Sequence, residues 1–277
     1  MASRALPLPG APRWVLAELI MRQEALALYG LLCAALSVVT VALQTIDPRL
    51  LESGVNIWVK PAKFFSSVAI FSVTAAWFFG YVRPERRNSR LIRGTVWLLI
   101  AAGTFELAWI SWQAAHGLES HFNNDTPFYT VMYALMGAFA MLLVGTTLPL
   151  AWEIARRPAA HLSRDFVAAV VTGLVLTFLL GGLLGGYMSS QAGHSVGPEG
   201  GRTFFFGWNR SGGDLRVAHF LGIHAEQTIP LLAALAASAG LATRARWVVL
   251  IAGAAAYAAL TLGLFAQAVA GRALFPM

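Results

Sequence analysis

One cysteine, Cys33, stands among 277 residues, and it lies inside an apolar run. No disulfide can close within the chain, and no cysteine-based metal site can be built. Charge is scarce too. Only 12% of residues are Asp, Glu, Lys or Arg, about half of the roughly 25% that a soluble domain carries. Too few charged side chains remain to clothe a large water-facing surface. Lysine is scarcest of all, with only Lys60 and Lys63, in the segment NIWVKPAKFF. The first two dozen residues lack a compact apolar core followed by a small-residue cleavage site, so no cleavable signal peptide is read there.

Hydrophobic residues make up 57% of the chain. They fall into seven stretches, roughly 25–44, 58–82, 92–115, 127–152, 166–188, 216–238 and 246–270. Each is close to or above the ~20 residues a helix needs to cross a bilayer. The pattern predicts an all-α polytopic membrane protein, a single domain of seven transmembrane helices over residues 1–277. No tandem repeat is present. The GGLLGG run from Gly181 to Gly186 predicts close helix contact on the fifth span.

The formal charge of +7 does not point to nucleic acid, because the basic residues sit in short clusters between apolar runs. The N-terminal tail (Arg4 included) and the connectors RPERRNSRLIR, EIARRPAAHLSRD and RAR hold thirteen of the twenty Lys and Arg residues. By the positive-inside rule these four segments agree on a cytoplasmic N-terminus and an outside C-terminus. The alanine-rich composition points to a bacterial cytoplasmic membrane. The opposite connectors are rich in Gly, Asn, His and aromatics. The longest of them, 189–215, is long enough to fold as a lid.

An ionisable side chain inside a span costs several kcal/mol and calls for a reason. Glu106, Trp109, Gln113 and His116 share one face of the third span, and Lys60, Lys63, Ser67, Thr74 and Tyr81 share one face of the second. The sixth span opens as DLRVAHFLGIHAEQTIP and places Glu226 near mid-span, as deep as Glu106. Pro230 is the expected point of distortion there. Snorkelling explains Lys60 well and Lys63 less well, since Lys63 lies a turn deeper. Lys63 is expected to pair with Glu106 or to hold an anionic group. The polar face of the first span, Tyr29 to Gln44, reads as helix packing. The cytoplasmic half of the bundle reads as almost purely apolar.

Five of the six histidines fall toward the outer half. These features predict an outward-facing His/Glu/Lys site between the second, third and sixth spans. Glu106, Glu226 and Lys63 are its candidate catalytic groups. Trp58, Trp109, Trp112, Gln113, Asn123, Trp208 and Gln227 are its candidate pocket lining. His116, His121, His219 and His224 are its candidate ligands for a transition metal or a haem iron. His219 and His224, five apart, stand about 140° around a helix and cannot share one ion without a distortion.

The leading expectation is a membrane-embedded enzyme or redox protein that holds a metal or haem, with a metal-free acid–base enzyme on a lipid or isoprenoid-like substrate, or a proton-coupled transporter or channel, as the alternatives. The expected partners are membrane lipids and a small apolar or amphipathic substrate, not nucleic acid.

Overall fold

A computed structural model describes residues 12–277, so Arg4 and the rest of the first eleven residues lie outside the described part. Six helices there are long and apolar enough to cross a membrane, and one bent helix pair makes a seventh candidate. They are α2 (Glu24–Ile46), α3 (Val59–Phe79), α4 (Arg90–Ala115), the run α5–α6 (Pro127–Gly145 and Thr147–Arg156), the run α7–α8 (Arg164–Leu176 and Leu183–Ser189), the bent pair α9–α10 (Leu215–Ile223 and Ala225–Ser238), and α11 (Thr243–Val269). A further helix, α1 (Pro12–Arg22), precedes them where the sequence reads only as a tail. Many large apolar side chains stay exposed, such as Val38 at 70%, Leu183 at 69% and Ile251 at 65%. A water-soluble monomer does not leave so much apolar surface bare.

Local sequence explains most boundaries. Gln23, Ser89 and Thr126 each accept a hydrogen bond from a first-turn backbone N–H and so cap α2, α4 and α5. Pro127 at the first position of α5 removes a donor that has no helical partner there anyway. α2 and α3 pack along most of their length. A Cβ on Gly30 would stand 2.8 Å from Val73, and Ser37 and Ser66 share a hydrogen bond at 2.6 Å across the pair.

The two ends of the bundle differ. At the arginine end, Val82 bridges Pro158, and Arg22 lies 4.0 Å over the Trp77 ring while donating to its carbonyl. This half is not purely apolar, contrary to the sequence reading. Glu153 is buried and held by Arg86 at 2.7 Å and Arg157 at 3.1 Å. Asp165, also buried, faces Arg246 at 3.3 Å. Above these pairs lies the largest apolar cluster, with Leu26, Phe79, Ile92, Leu99, Ile154 and Leu174 at its centre.

At the opposite end, three connectors and the C-terminus fold over the bundle. The longest holds a two-stranded ribbon, β1 (Ser195–Val196) against β2 (Gly213–Asp214), and is tied to α3 by Lys63 and to the C-terminus by Arg210; we call it the lid. We call this the lid end.

Two helix breaks meet inside the bundle. Between α7 and α8, residues Thr177–Gly182 form a π-helical segment. Between α9 and α10 the axis bends by 53° at His224. The bend lies six residues before Pro230, which sits within α10, so the proline is not the break point. The Glu226 N–H leaves its own helix and donates to Thr177 Oγ1 of the π segment at 2.9 Å. Glycines allow the close approach. A Cβ on Gly222 would stand 2.8 Å from the Gly181 nitrogen and the Leu180 carbonyl carbon. One on Gly173 would stand 3.0 Å from the Ala225 carbonyl oxygen. The GGLLGG run is therefore where the fifth and sixth candidate spans touch, backbone to backbone.

Candidate functional site

The predicted site residues fall into three groups. The first lies between α3, α4 and the connector 116–126. Glu106 is buried, one of its carboxylate oxygens has no partner, and Lys60 is the cation within electrostatic reach of it. At 1.5 Å per residue, Glu106 lies about 14 Å below the end of α4 at Ala115. Lys63 does not pair with Glu106. It turns toward the lid, where its Nζ donates to the Phe206 carbonyl at 2.9 Å. Lys60 makes no ion pair with Glu106 either; it stands 3.8 Å from Glu119.

The connector above Glu106 is tightly tied. Gln113 and Asn123, both buried, donate to the Glu119 carbonyl at 3.2 and 3.1 Å. Asn123 also accepts from the Asp125 N–H. Between His121 and Asn123, Phe122 has φ of +58°, the one positive φ among described non-glycine residues. For a bulky aromatic residue this left-handed conformation costs about 1–2 kcal/mol. It persists only because both flanking side chains are anchored.

The second group sits at the helix bend. Gln227 donates to Glu226 Oε1 at 2.9 Å and to Thr74 Oγ1 of α3 at 3.1 Å, while its own oxygen lies 3.2 Å from His224 Nδ1. Glu226 is buried, and its second oxygen has no partner. No hydrogen bond joins Glu226 to Glu106, so the two deep carboxylates belong to separate groups.

The four histidines do not assemble. His116 is exposed and bonds to the Trp112 carbonyl of its own helix end at 2.8 Å. His121 bonds to Ser120 Oγ at 3.1 Å, with its ring against Phe64 and Tyr133. Burial, then the nearby Lys60 charge, holds its pKa well below the usual histidine value. His219 bonds to the Gly181 carbonyl at 3.1 Å, and His224 belongs to the bend. Among the described residues, no three His, Cys, Asp or Glu side chains stand together as a metal-holding group. The spacing on each segment was legible, but ring direction is set by whichever backbone carbonyl or neighbour lies closest.

The tryptophans divide as well. Trp58 Nε1 donates to Asp47 at 3.0 Å and braces a connector. The Asp47 carboxyl is held well below the usual range by its hydrogen bonds from Arg49 and Trp58. Trp109 packs edge-on to Phe128, and Trp112 is 61% exposed on the outside of the bundle, so it lines no pocket. Trp208 is buried and stacks on Phe206 at 4.4 Å.

The third group was missed in the sequence. The lid lines a half-open cavity of about 220 Å³ whose wall includes His194, Arg202, Asn209 and Arg216. Asp214 chelates Arg216 at 2.6 and 2.9 Å and accepts the Asn209 N–H at 2.8 Å. Burial, then the Arg216 charge, lowers the His194 pKa to about 4. The signal was present in the run NRSGGDLR, but nothing in linear spacing ties Arg202 or His194 to it.

Helices of this length and apolarity, with polar groups gathered toward the lid end, define an integral membrane protein. No family model, curated protein or solved structure matches the chain.

Proposed function

We propose that this chain crosses the membrane seven times, with its arginine end in the cytoplasm and its lid end outside, and that it carries a metal-free acid–base site for an amphipathic substrate. The orientation rests on the positive-inside rule, since the basic connectors all gather at one end. The observation that carries the functional reading is Glu106: a buried carboxylate with one oxygen unpartnered, Lys60 as its cation, and a strained, anchored connector at Phe122 above it. A carboxyl group held this way can give or take a proton at its free oxygen, and Lys60 can stabilise the anion that results. Strain of the Phe122 kind collects where geometry serves a site rather than the fold. Substrate enters from the membrane, because the surrounding helix faces are apolar.

The test uses proteoliposomes made from a polar lipid extract, incubated and analysed by mass spectrometry. Wild type should convert one lipid species, also in the presence of EDTA, and Glu106→Gln should not, while melting within a few degrees of wild type. Equal conversion by Glu106→Gln would reject the role.

A second reading has its own support. Paired helix breaks near mid-membrane, with Glu226, Gln227 and His224 at the bend, resemble the arrangement in which transporters hold their coupling ions. Against a through-path stands the large apolar cluster that fills the arginine half. Proton uptake by dye-loaded proteoliposomes that disappears in Glu226→Gln would favour this second reading.

A further inference from the structure

The lid is built, not slack. Asn209 is buried; its side chain accepts from the N–H groups of Gly200 and Ser211 at 3.1 Å each and donates to the Pro198 carbonyl at 2.8 Å. The turn Thr203–Gly207 is closed by the Gly207 N–H on the Thr203 carbonyl and the Trp208 N–H on Thr203 Oγ1, both at 2.9 Å. Between these ties lies the cavity of about 220 Å³. That is smaller than the ~300–1,000 Å³ that encloses a drug-sized ligand. It suits a headgroup, not a whole lipid.

The charge of the wall is specific. Arg202 lines it with no ion-pair or hydrogen-bond partner for its side chain among the described residues, and Arg216 faces it from α9. Lys63 adds a third cation next to the wall, since a Cβ on Gly207 would stand 3.5 Å from its Nζ. Glu199 is the one carboxylate on the lining, and Asp214 and Arg216 neutralise each other, the Arg216 Nε and Nη2 being taken by Asp214 and the Gly207 carbonyl. Gly200, Gly201 and Gly207 line the wall without side chains, though the N–H groups of Gly200 and Gly207 are already taken by Asn209 and Thr203. A free guanidinium fork beside an ammonium group is what phosphate oxygens bind.

A second feature says what carries the phosphate. The turn beside the cavity presents Phe204 at 93% and Phe205 at 81% exposure. Its depth is set by the bond from Lys63, the fifth residue of α3, to the Phe206 carbonyl. The turn therefore lies level with the start of a candidate span. Bare aromatic rings at that level belong in the headgroup and upper acyl region of a bilayer.

We propose that the lid cavity is a binding site for the phosphate of an anionic phospholipid, with Arg202 and Lys63 holding the headgroup and Phe204 and Phe205 contacting the acyl chains. This site stands independently of the acid–base reading at Glu106.

The test titrates detergent-purified full-length protein by calorimetry with three probes: short-chain phosphatidylglycerol, short-chain phosphatidylcholine and inorganic phosphate. Phosphatidylglycerol should bind at least tenfold more tightly than either of the others. Arg202→Ala should weaken it about tenfold without moving the melting temperature, since Arg202 is exposed and unpaired. The double variant Phe204→Ser, Phe205→Ser should weaken phosphatidylglycerol and leave inorganic phosphate unchanged. Glu106→Gln should bind phosphatidylglycerol as wild type does, whatever becomes of the acid–base reading. Equal affinity for inorganic phosphate would overturn the lipid assignment. Unchanged affinity in Arg202→Ala would overturn the site itself.

Discussion

Replacing Gly222 with alanine adds one methyl group where two broken helices touch. That methyl carbon would stand 2.8 Å from the Gly181 nitrogen, 2.8 Å from the Leu180 carbonyl carbon and 3.0 Å from its oxygen. All three are backbone atoms, so no side chain can swing away. Relief requires α9 to move off the π segment, which would stretch the bonds from Glu226 to Thr177 and from His219 to Gly181. Overpacking of this kind costs about 1–3 kcal/mol. For a protein of this size each kcal/mol shifts Tm by about 2–4 °C, so a fall of about 2–12 °C is expected. Gly186→Ala is the control. Its added carbon meets nothing within 4 Å, and α8 gains up to about 1 kcal/mol of helix propensity. Thermal melting of the two variants in one detergent decides the matter. If Gly222→Ala melts with wild type, or Gly186→Ala falls as far, the backbone contact does not hold these breaks together.

Three further predictions concern the two ends and the bend. Glu153→Gln removes a buried carboxylate from Arg86 and Arg157 and should cost about 1.5–3 kcal/mol, read as a lower Tm that high salt does not restore. Gln227→Leu should lose a similar or smaller amount, about 1–3 kcal/mol, because Thr74, Glu226 and His224 all lose their common partner; unchanged melting would argue against the bridge. His194 has its folded pKa lowered to about 4, against about 6.5 unfolded, so the unfolded lid binds more protons between those values. Lid stability is therefore complete above pH 6.5 and declines as pH falls toward 4. The protection factors of residues 190–214, each exchange rate being taken relative to the base-catalysed intrinsic rate at that pH, should be lower at pH 5 than at pH 7, and His194→Gln should flatten that difference.

The spans were legible because lipid demands long apolar helices, and that demand is written residue by residue. Their interruptions were not. At the bend beside His224 a threonine 49 residues from Glu226 takes the Glu226 N–H, and no local pattern records this. Pro230 carries the local signal for a break, yet it sits inside a regular helix. The same limit applies to the site. Helical periodicity put Lys60, Lys63 and Thr74 on one face, but a face says nothing of which neighbour lies opposite. Lys60 thus stands by Glu119, Lys63 serves the lid, and Thr74 serves Gln227. The histidines gather toward one end as their sequence positions imply, and then separate, since each ring settles on its nearest acceptor or donor. Arg202 and His194 were invisible for the opposite reason. Loop residues carry no period, and only the Asn209 and Asp214 ties bring them to one cavity.

The π-helical segment has a consequence for how this chain tolerates length changes. A single π turn is one residue more than an α-helix needs over the same rise. Straightening Thr177–Gly182 into α-helix without removing a residue would keep that surplus residue in the helix, and everything beyond it would rotate by about 100° around the axis. Gly185 would swing away from the His219 ring it now sits against, and Tyr187 away from Phe265. Deleting one residue within the segment removes the surplus together with the bulge, so α7 and α8 would join as one α-helix and keep those neighbours. The bulge absorbs one residue and so holds the two halves of that segment in register.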